Sequence, residues 1–137
     1  MDHSGHFAAV QAKLQTLPYV RMLGFSIVPE EGGVRGLLPF VEHLTGNPLV
    51  PALHGGVIAA LAHFTAAAEL MMLRGSLAMP QVFSCTIEYL ASPELRDCEA
   101  RASITSVSRR FANLRAVAVQ PHSGKEIAAA TLQFLVK

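Results

Sequence analysis

The chain has little that would point to redox, metal or nucleic-acid chemistry. Its 137 residues include only two cysteines, Cys85 and Cys98, which stand in predicted strands without metal-ligand spacing. No metal site or disulfide framework is expected from them, and both read as reduced, structural thiols. Charge of one sign is also lacking. The formal charge is +1, and the eleven Lys and Arg residues are scattered rather than gathered into a stripe. That argues against a nucleic-acid or anionic-membrane surface and leaves small molecules and protein partners. Low-complexity tracts, internal repeats and linkers are absent. Met1 to Gln15 carries Asp2, His3, His6 and Lys13 and has no basic segment followed by an unbroken apolar core. No secretory signal is expected, and the expected location is cytoplasmic. The longest apolar stretch, Val57 to Leu73, is interrupted by His63, Thr65 and Glu69 and falls about one turn short of the usual ~20-residue span. A buried helix fits it better.

What is present is enough apolar residue, 51%, to build one continuous core, so residues 1–137 are expected to form a single domain. Phe7, Val10, Leu14 and Leu17 recur at helical spacing, and Pro18 is expected to close that helix. Phe25 to Pro29 and Val34 to Phe40 flank Glu-Glu-Gly-Gly, a hairpin signal. An alanine-rich helix, apolar nearly all round, is predicted from Gly56 to Leu73, with Arg74 in its last turn and Gly75 as its stop. Strands follow over Val82 to Ala91, Glu99 to Ser108, Asn113 to Gln120 and Glu126 to Val136, and read as an antiparallel meander. An apolar helix of that length needs cover on several sides. The expected fold class is therefore α+β: an antiparallel sheet of about six strands wrapped around one long central helix, with a short N-terminal helix.

The most informative segment runs from Gly46 to His63, where a polar turn with Asn47, His54, Gly55 and Gly56 leads directly into the long helix. First-turn N–H groups of a helix have no intrahelical partner, and aligned peptide dipoles place partial positive charge there. Such an end binds anions or polarises a carbonyl. Glycines remove the Cβ atoms that would hold a ligand off those amides, and His54 and Asn47 add side-chain donors. The same glycines could also serve only a tight helix entry, with His54 satisfying a loop carbonyl.

With this element order and motif, the chain resembles the hotdog-fold thioesterases of the PaaI-like group, whose central helix opens with His-Gly-Gly. Leu23-Gly24-Phe25, Glu88-Tyr89-Leu90 followed by Pro93, and Val107-Ser108-Arg109-Arg110 strengthen the resemblance, which covers nearly the whole chain. It implies a homodimer, possibly a dimer of dimers, with interfacial sites that hydrolyse acyl-coenzyme A thioesters without metal or organic cofactor. Under it, Gly55 corresponds to the residue whose N–H polarises the thioester carbonyl, and His54 to the motif histidine that orients the loop. Asn47 resembles the family asparagine that holds the nucleophile or water, although it stands seven residues before His54 where many members have six. Arg109 and Arg110 resemble a basic pair that meets coenzyme A phosphates.

One departure matters. Nine residues after the motif histidine the family usually has Asp or Glu, and this chain has His63. A neutral imidazole can take a proton from water, so general-base hydrolysis stays open while a carboxylate-anhydride route does not. The competing reading is a buried helix histidine hydrogen-bonded to a neighbour, in an acyl-CoA-binding protein without turnover. Glu69, six residues on, points about 120° away around the helix and is a second-choice catalytic group, or else an arginine partner or a solvated position. Ser84 and Thr86 could turn their hydroxyls toward the groove as substrate-binding groups, with Gly56, or be ordinary strand polarity.

Overall fold

The computed structural model describes residues 4–47 and 49–136, without the side chains of Asn47, Val50 and Pro51. In chain order the elements are α1 (Ser4–Leu14), α2 (Pro18–Leu23), β1 (Ser26–Glu30), β2 (Gly33–Leu38), a 3-10 turn (Glu42–Leu44), β3 (Thr45–Asn47) and β4 (Val50–Leu53). Then come α3 (Gly55–Arg74), β5 (Gln81–Tyr89), β6 (Cys98–Val107), β7 (Phe111–Gln120) and β8 (Lys125–Leu135). A six-stranded antiparallel sheet in the order β1-β2-β6-β7-β8-β5 curls round α3. This is the expected hotdog fold.

Two core clusters explain why the sheet wraps. On one side of α3, Ile58, Leu61, Phe64 and Met71 pack against Val10, Leu14, Phe25, Ile27 and Leu38 of the N-terminal elements. On another, Ala62, Ala66, Ala67 and Leu70 meet Leu114 of β7 and Leu132 and Phe134 of β8. The alanines let the sheet approach closely, and each fully buried Leu or Phe contributes about 1.5–3 kcal/mol. Helix α3 is long and apolar enough to cross a membrane, but 67% of its most apolar window is buried within the fold. Gly75 ends it at φ +60°, its N–H bonded to Met71 and Met72 carbonyls, as the glycine stop predicted.

Several expectations need correction. Pro18 does not simply end a helix over Phe7 to Leu17: α1 stops at Leu14, and Pro18 opens the separate α2. Proline lacks the N–H that a first helical position would leave unpaired anyway, so it suits that place. Gly24 then caps α2 in the left-handed conformation, at φ +77°. The polar turn before α3 contains a small two-stranded ribbon, β3-β4. The last four strands are not one meander either. Strands β6, β7 and β8 are, but β5 pairs with β8 at the sheet's edge, while β6 pairs with β2. The segment from Leu90 to Asp97 carries the chain across the sheet to make this possible. Short turns join hairpin neighbours, and this longer connection does not.

The two sheet edges are treated differently. Gln11 of α1 donates to the Ile27 carbonyl at 2.9 Å and accepts from its N–H at 3.3 Å, and Gln15 donates to the Phe25 carbonyl at 2.8 Å. Edge β1 is thus partly satisfied by side chains. Along β5, in contrast, Phe83 is 53% and Tyr89 51% exposed, and most other residues are exposed too. An open edge of this length is a ready template for strand pairing.

Candidate active site at the head of the central helix

The site starts from the N-cap of α3. His54 has extended backbone geometry, and its Nδ1 accepts the Gly56 N–H at 2.9 Å, while its carbonyl accepts from Val57 at 3.0 Å. With Nδ1 used as acceptor, the neutral ring carries its proton on Nε2. The loop is tied down behind it, since the His54 N–H donates to the Leu44 carbonyl at 2.9 Å. Gly56 leaves room for this cap: a Cβ there would lie 3.1 Å from His54 Nδ1, close enough that the ring would have to shift.

Gly55 is the first residue of α3, and its N–H meets no acceptor among the described residues. Its carbonyl accepts from the Tyr89 hydroxyl at 2.8 Å, and a Cβ on Gly55 would press on that hydroxyl at 3.2 Å. Tyr89 therefore braces Gly55 from the following peptide, while the peptide that carries the free N–H is held through the His54 carbonyl by Val57. Around it lies an open depression of about 450 Å³ lined by Leu53, Gly55, Tyr89, Leu90 and Pro93. Chemically, this is a preorganised backbone donor at a positive helix end, beside a surface able to accept a carbonyl compound. Tyr89 was not among the candidates read from the sequence. A hydroxyl-tipped aromatic ending the strand after the helix was the available signal, but only the fold brings it to Gly55.

Asn47 falls in β3, opposite Val50 and Ala52, and its side chain lies outside the described residues. His63 is half-buried on α3, its ring 4.8 Å from Phe64 and stacked 5.9 Å from Phe134. Burial lowers its pKa below the ordinary imidazole value, so the neutral form predominates at neutral pH. It makes no hydrogen bond among the described residues. Ser84 and Thr86 are exposed on β5. Arg109 and Arg110 are exposed in the β6-β7 turn, and neither forms an ion pair among the described residues.

Among the described residues Glu69 is not paired with an arginine. It is half-buried, and Oε2 accepts the Val34 N–H at 3.2 Å. Burial raises its pKa to about 7, against the opposing effect of that hydrogen bond. The two cysteines are free, and Cys98 is buried with its thiol pushed up to about 11, which keeps it protonated and inert.

One copy of the chain does not bring all these groups together. Gly55 and His63 are eight residues apart on one helix, about 12 Å along its axis at 1.5 Å per residue. Arg109 and Arg110 are farther. Phe111, Leu135 and Gln81 share one row across the sheet, and Ala118, Ala128 and Tyr89 another. Those rows are separated by eight residues of β5, about 26 Å at 3.3 Å per residue. The arginine turn and the Gly55 donor thus stand at opposite ends of the sheet.

Residues 46–135 match the model of the acyl-CoA thioesterase N-terminal domain. The chain belongs to that family. Among solved structures, a Chromobacterium violaceum protein is 30% identical with a TM-score of 0.72, over 96% of each chain. A variant of the phenylacetic acid degradation protein PaaI from Thermus thermophilus is 25% identical with a TM-score of 0.75, over 88% of this chain and 100% of that one. Zebrafish thioesterase superfamily member 2 shares the fold, with a TM-score of 0.78 at 19% identity over 95% of this chain and 94% of that one. No curated protein matches the sequence. The family and fold read from the His-Gly-Gly motif and the element order are borne out.

Proposed function

We propose that this thioesterase-family chain hydrolyses acyl-CoA thioesters by water attack, with the carbonyl oxygen held at the Gly55 N–H. The observation that carries the reading is that donor, first in a 20-residue helix, without an acceptor among the described residues and braced by Tyr89. As the tetrahedral intermediate forms, negative charge grows on the oxygen facing the amide and helix dipole. Water's oxygen bonds to the acyl carbon while His63 takes its proton. Collapse breaks the C–S bond, and the imidazolium returns the proton to the departing thiolate. The free acid and coenzyme A leave, and the scheme calls for no cofactor.

The 12 Å offset between Gly55 and His63 makes a homodimer part of the proposal. A two-fold axis pairing the open β5 edges antiparallel reverses their direction, bringing the Gln81 end of one copy toward the Tyr89 end of the other. His63 and the Arg109-Arg110 turn of one subunit then approach Gly55 of the second, with the arginines available to coenzyme A phosphates.

A second reading, acyl-CoA binding without turnover, draws support from His63 itself. A general base is ordinarily oriented by a hydrogen bond, and this ring is held by aromatic packing alone among the described residues. The test is thiol release from short, medium, long and aromatic acyl-CoA thioesters by the native chain, His63→Ala and His63→Asp. Turnover lost in His63→Ala supports the first reading. Inactive native protein, bound acyl-CoA and activity gained in His63→Asp establish the second.

A further inference from the structure

Away from the Gly55 site, the C-terminal half of α3, α1, the β1-β2 turn and β6 line a half-open cavity of about 810 Å³. Its walls are largely apolar, from Phe7, Pro29, Met72, Leu73, Ala102 and Ile104. Glu69 enters this space past Gly33, where any Cβ would overlap its carboxyl group. The pairing of charges around it is uneven. Arg101 donates to both Glu30 oxygens at 2.8 and 2.7 Å, and Arg35 lies 3.3 Å from Glu99 and 3.5 Å from Glu30. Two arginines are thereby matched with two glutamates, and Glu69 has no cation within ion-pair distance among the described residues. Among the described residues only one of its oxygens has a donor, the Val34 N–H.

We propose that this cavity binds a small protonated amine with an apolar body, the ammonium group resting against the free oxygen of Glu69. The chemistry selects this class. A half-buried carboxylate without a cation is costly, and an ammonium supplies both the missing charge and the missing donor. An anionic ligand would face Glu69 with Glu30 nearby, and a fully polar one would leave the walls unmatched. The volume falls within the range of small-molecule pockets.

The carboxyl's raised pKa of about 7 adds a signature: amine binding strengthens as pH rises from about 5.5 to 8, because Glu69 ionises while an aliphatic amine stays protonated. The other titratable groups on the enclosing elements are His6 and Lys13 of α1, Glu30 of β1, Glu31 of the β1-β2 turn, Arg35 of β2, His63 and Arg74 of α3, and Cys98, Glu99 and Arg101 of β6. Glu30 is held below the ordinary carboxylate value by its hydrogen bonds from Arg101, and Arg101 is raised by Glu30, so neither changes charge across that range.

The experiment is an amide-resolved NMR titration of the full-length chain with hexylamine, hexan-1-ol and hexanoate at about pH 8 and pH 5.5. Hexylamine should perturb Gly33, Val34, Met72 and Ala102, bind about tenfold tighter than hexanol at the higher pH, and lose most of that preference at the lower. Hexanoate should not bind there. Glu69→Gln should bring hexylamine to the hexanol level, and Ala102→Phe, which fills the cavity but keeps the carboxylate, should abolish both. Equal affinity of the native protein for amine and alcohol, undiminished amine binding by Glu69→Gln, or perturbations confined to the Gly55 region would overturn the proposal.

Discussion

The two ends of helix α3 present opposite electrostatic problems. At its head, the Gly55 N–H is a donor that meets no acceptor among the described residues, beside an open depression where Tyr89 bonds the Gly55 carbonyl. Toward its tail, Glu69 is an acceptor that meets no cation among the described residues, half-buried in a largely apolar cavity. The head is built from backbone, so its polarity does not titrate and is available at any pH. The tail is a side chain whose charge depends on its surroundings, and burial makes that charge switch near neutrality. A fixed dipole suits transient charge in a reaction, whereas a titrating carboxyl suits a ligand that brings its own charge.

The comparison is broken most severely at His63, between the two ends. His63→Ala should lower kcat by about 10²–10⁴ if the imidazole is the base, measured as thiol release under saturating acyl-CoA. Because burial lowers its pKa, the midpoint of the acid-side fall in the native rate should lie below the ~6.5 of an ordinary imidazole, with the rate level on the alkaline side. A rate that kept climbing to pH 8.5 would assign the base elsewhere.

At the head, Gly55→Pro deletes the N–H while keeping a residue suited to the first helical position, and His54 already has the extended geometry that precedes proline. It should reduce kcat by about 10²–10³. Gly55→Ala, which crowds Tyr89 but keeps the donor, should fall well short of that loss. Equal losses would show that space, not the N–H, is what glycine provides. Tyr89→Phe removes one hydrogen bond to the Gly55 carbonyl and should cost about tenfold in kcat with little change in melting temperature, on the scale of ~1 kcal/mol for such a bond.

The smallest effect belongs to the tail. The folded pKa of Glu69 lies above its unfolded value, so the native state holds the proton more tightly and stability falls as pH rises from about 4.5 to 7. Glu69→Gln removes that loss. With its partial exposure screening the charge, the variant should gain on the order of 1 kcal/mol at pH 8 and nothing below about pH 4.5, read from urea unfolding at both. A gain equal at both pH values would mean that packing, not ionisation, sets the difference.

The long helix was legible because its apolar residues run nearly all round, and Gly75 marked its end in the expected way. The hairpin of β1 and β2, the strands β5 to β8 and the His-Gly-Gly entry were legible from alternation and turn residues. Strand order was not. Alternation marks a strand and its two faces but says nothing of its neighbour, so β5 was read beside β6, whereas it pairs with β8. The ribbon β3-β4 escaped because its strands are too short for a period to show. At the site, helix spacing separated Glu69 from His63 correctly, but it could not show that Val34, not an arginine, meets the carboxyl.

By itself, the sequence determined what depends on neighbours along the chain: the helix and its ends, the glycines at its head, the absent carboxylate at His63, and the motif that marks the family. Only the tertiary structure decided what depends on contacts between distant segments. It set Tyr89 against Gly55, His63 against Phe134, and the cavity around Glu69, and it placed Arg109 and Arg110 at the far end of the sheet. The physical reason is range. Capping, helical period and turn preference act within a few residues, while pairing and burial are settled by which segments come to share one core.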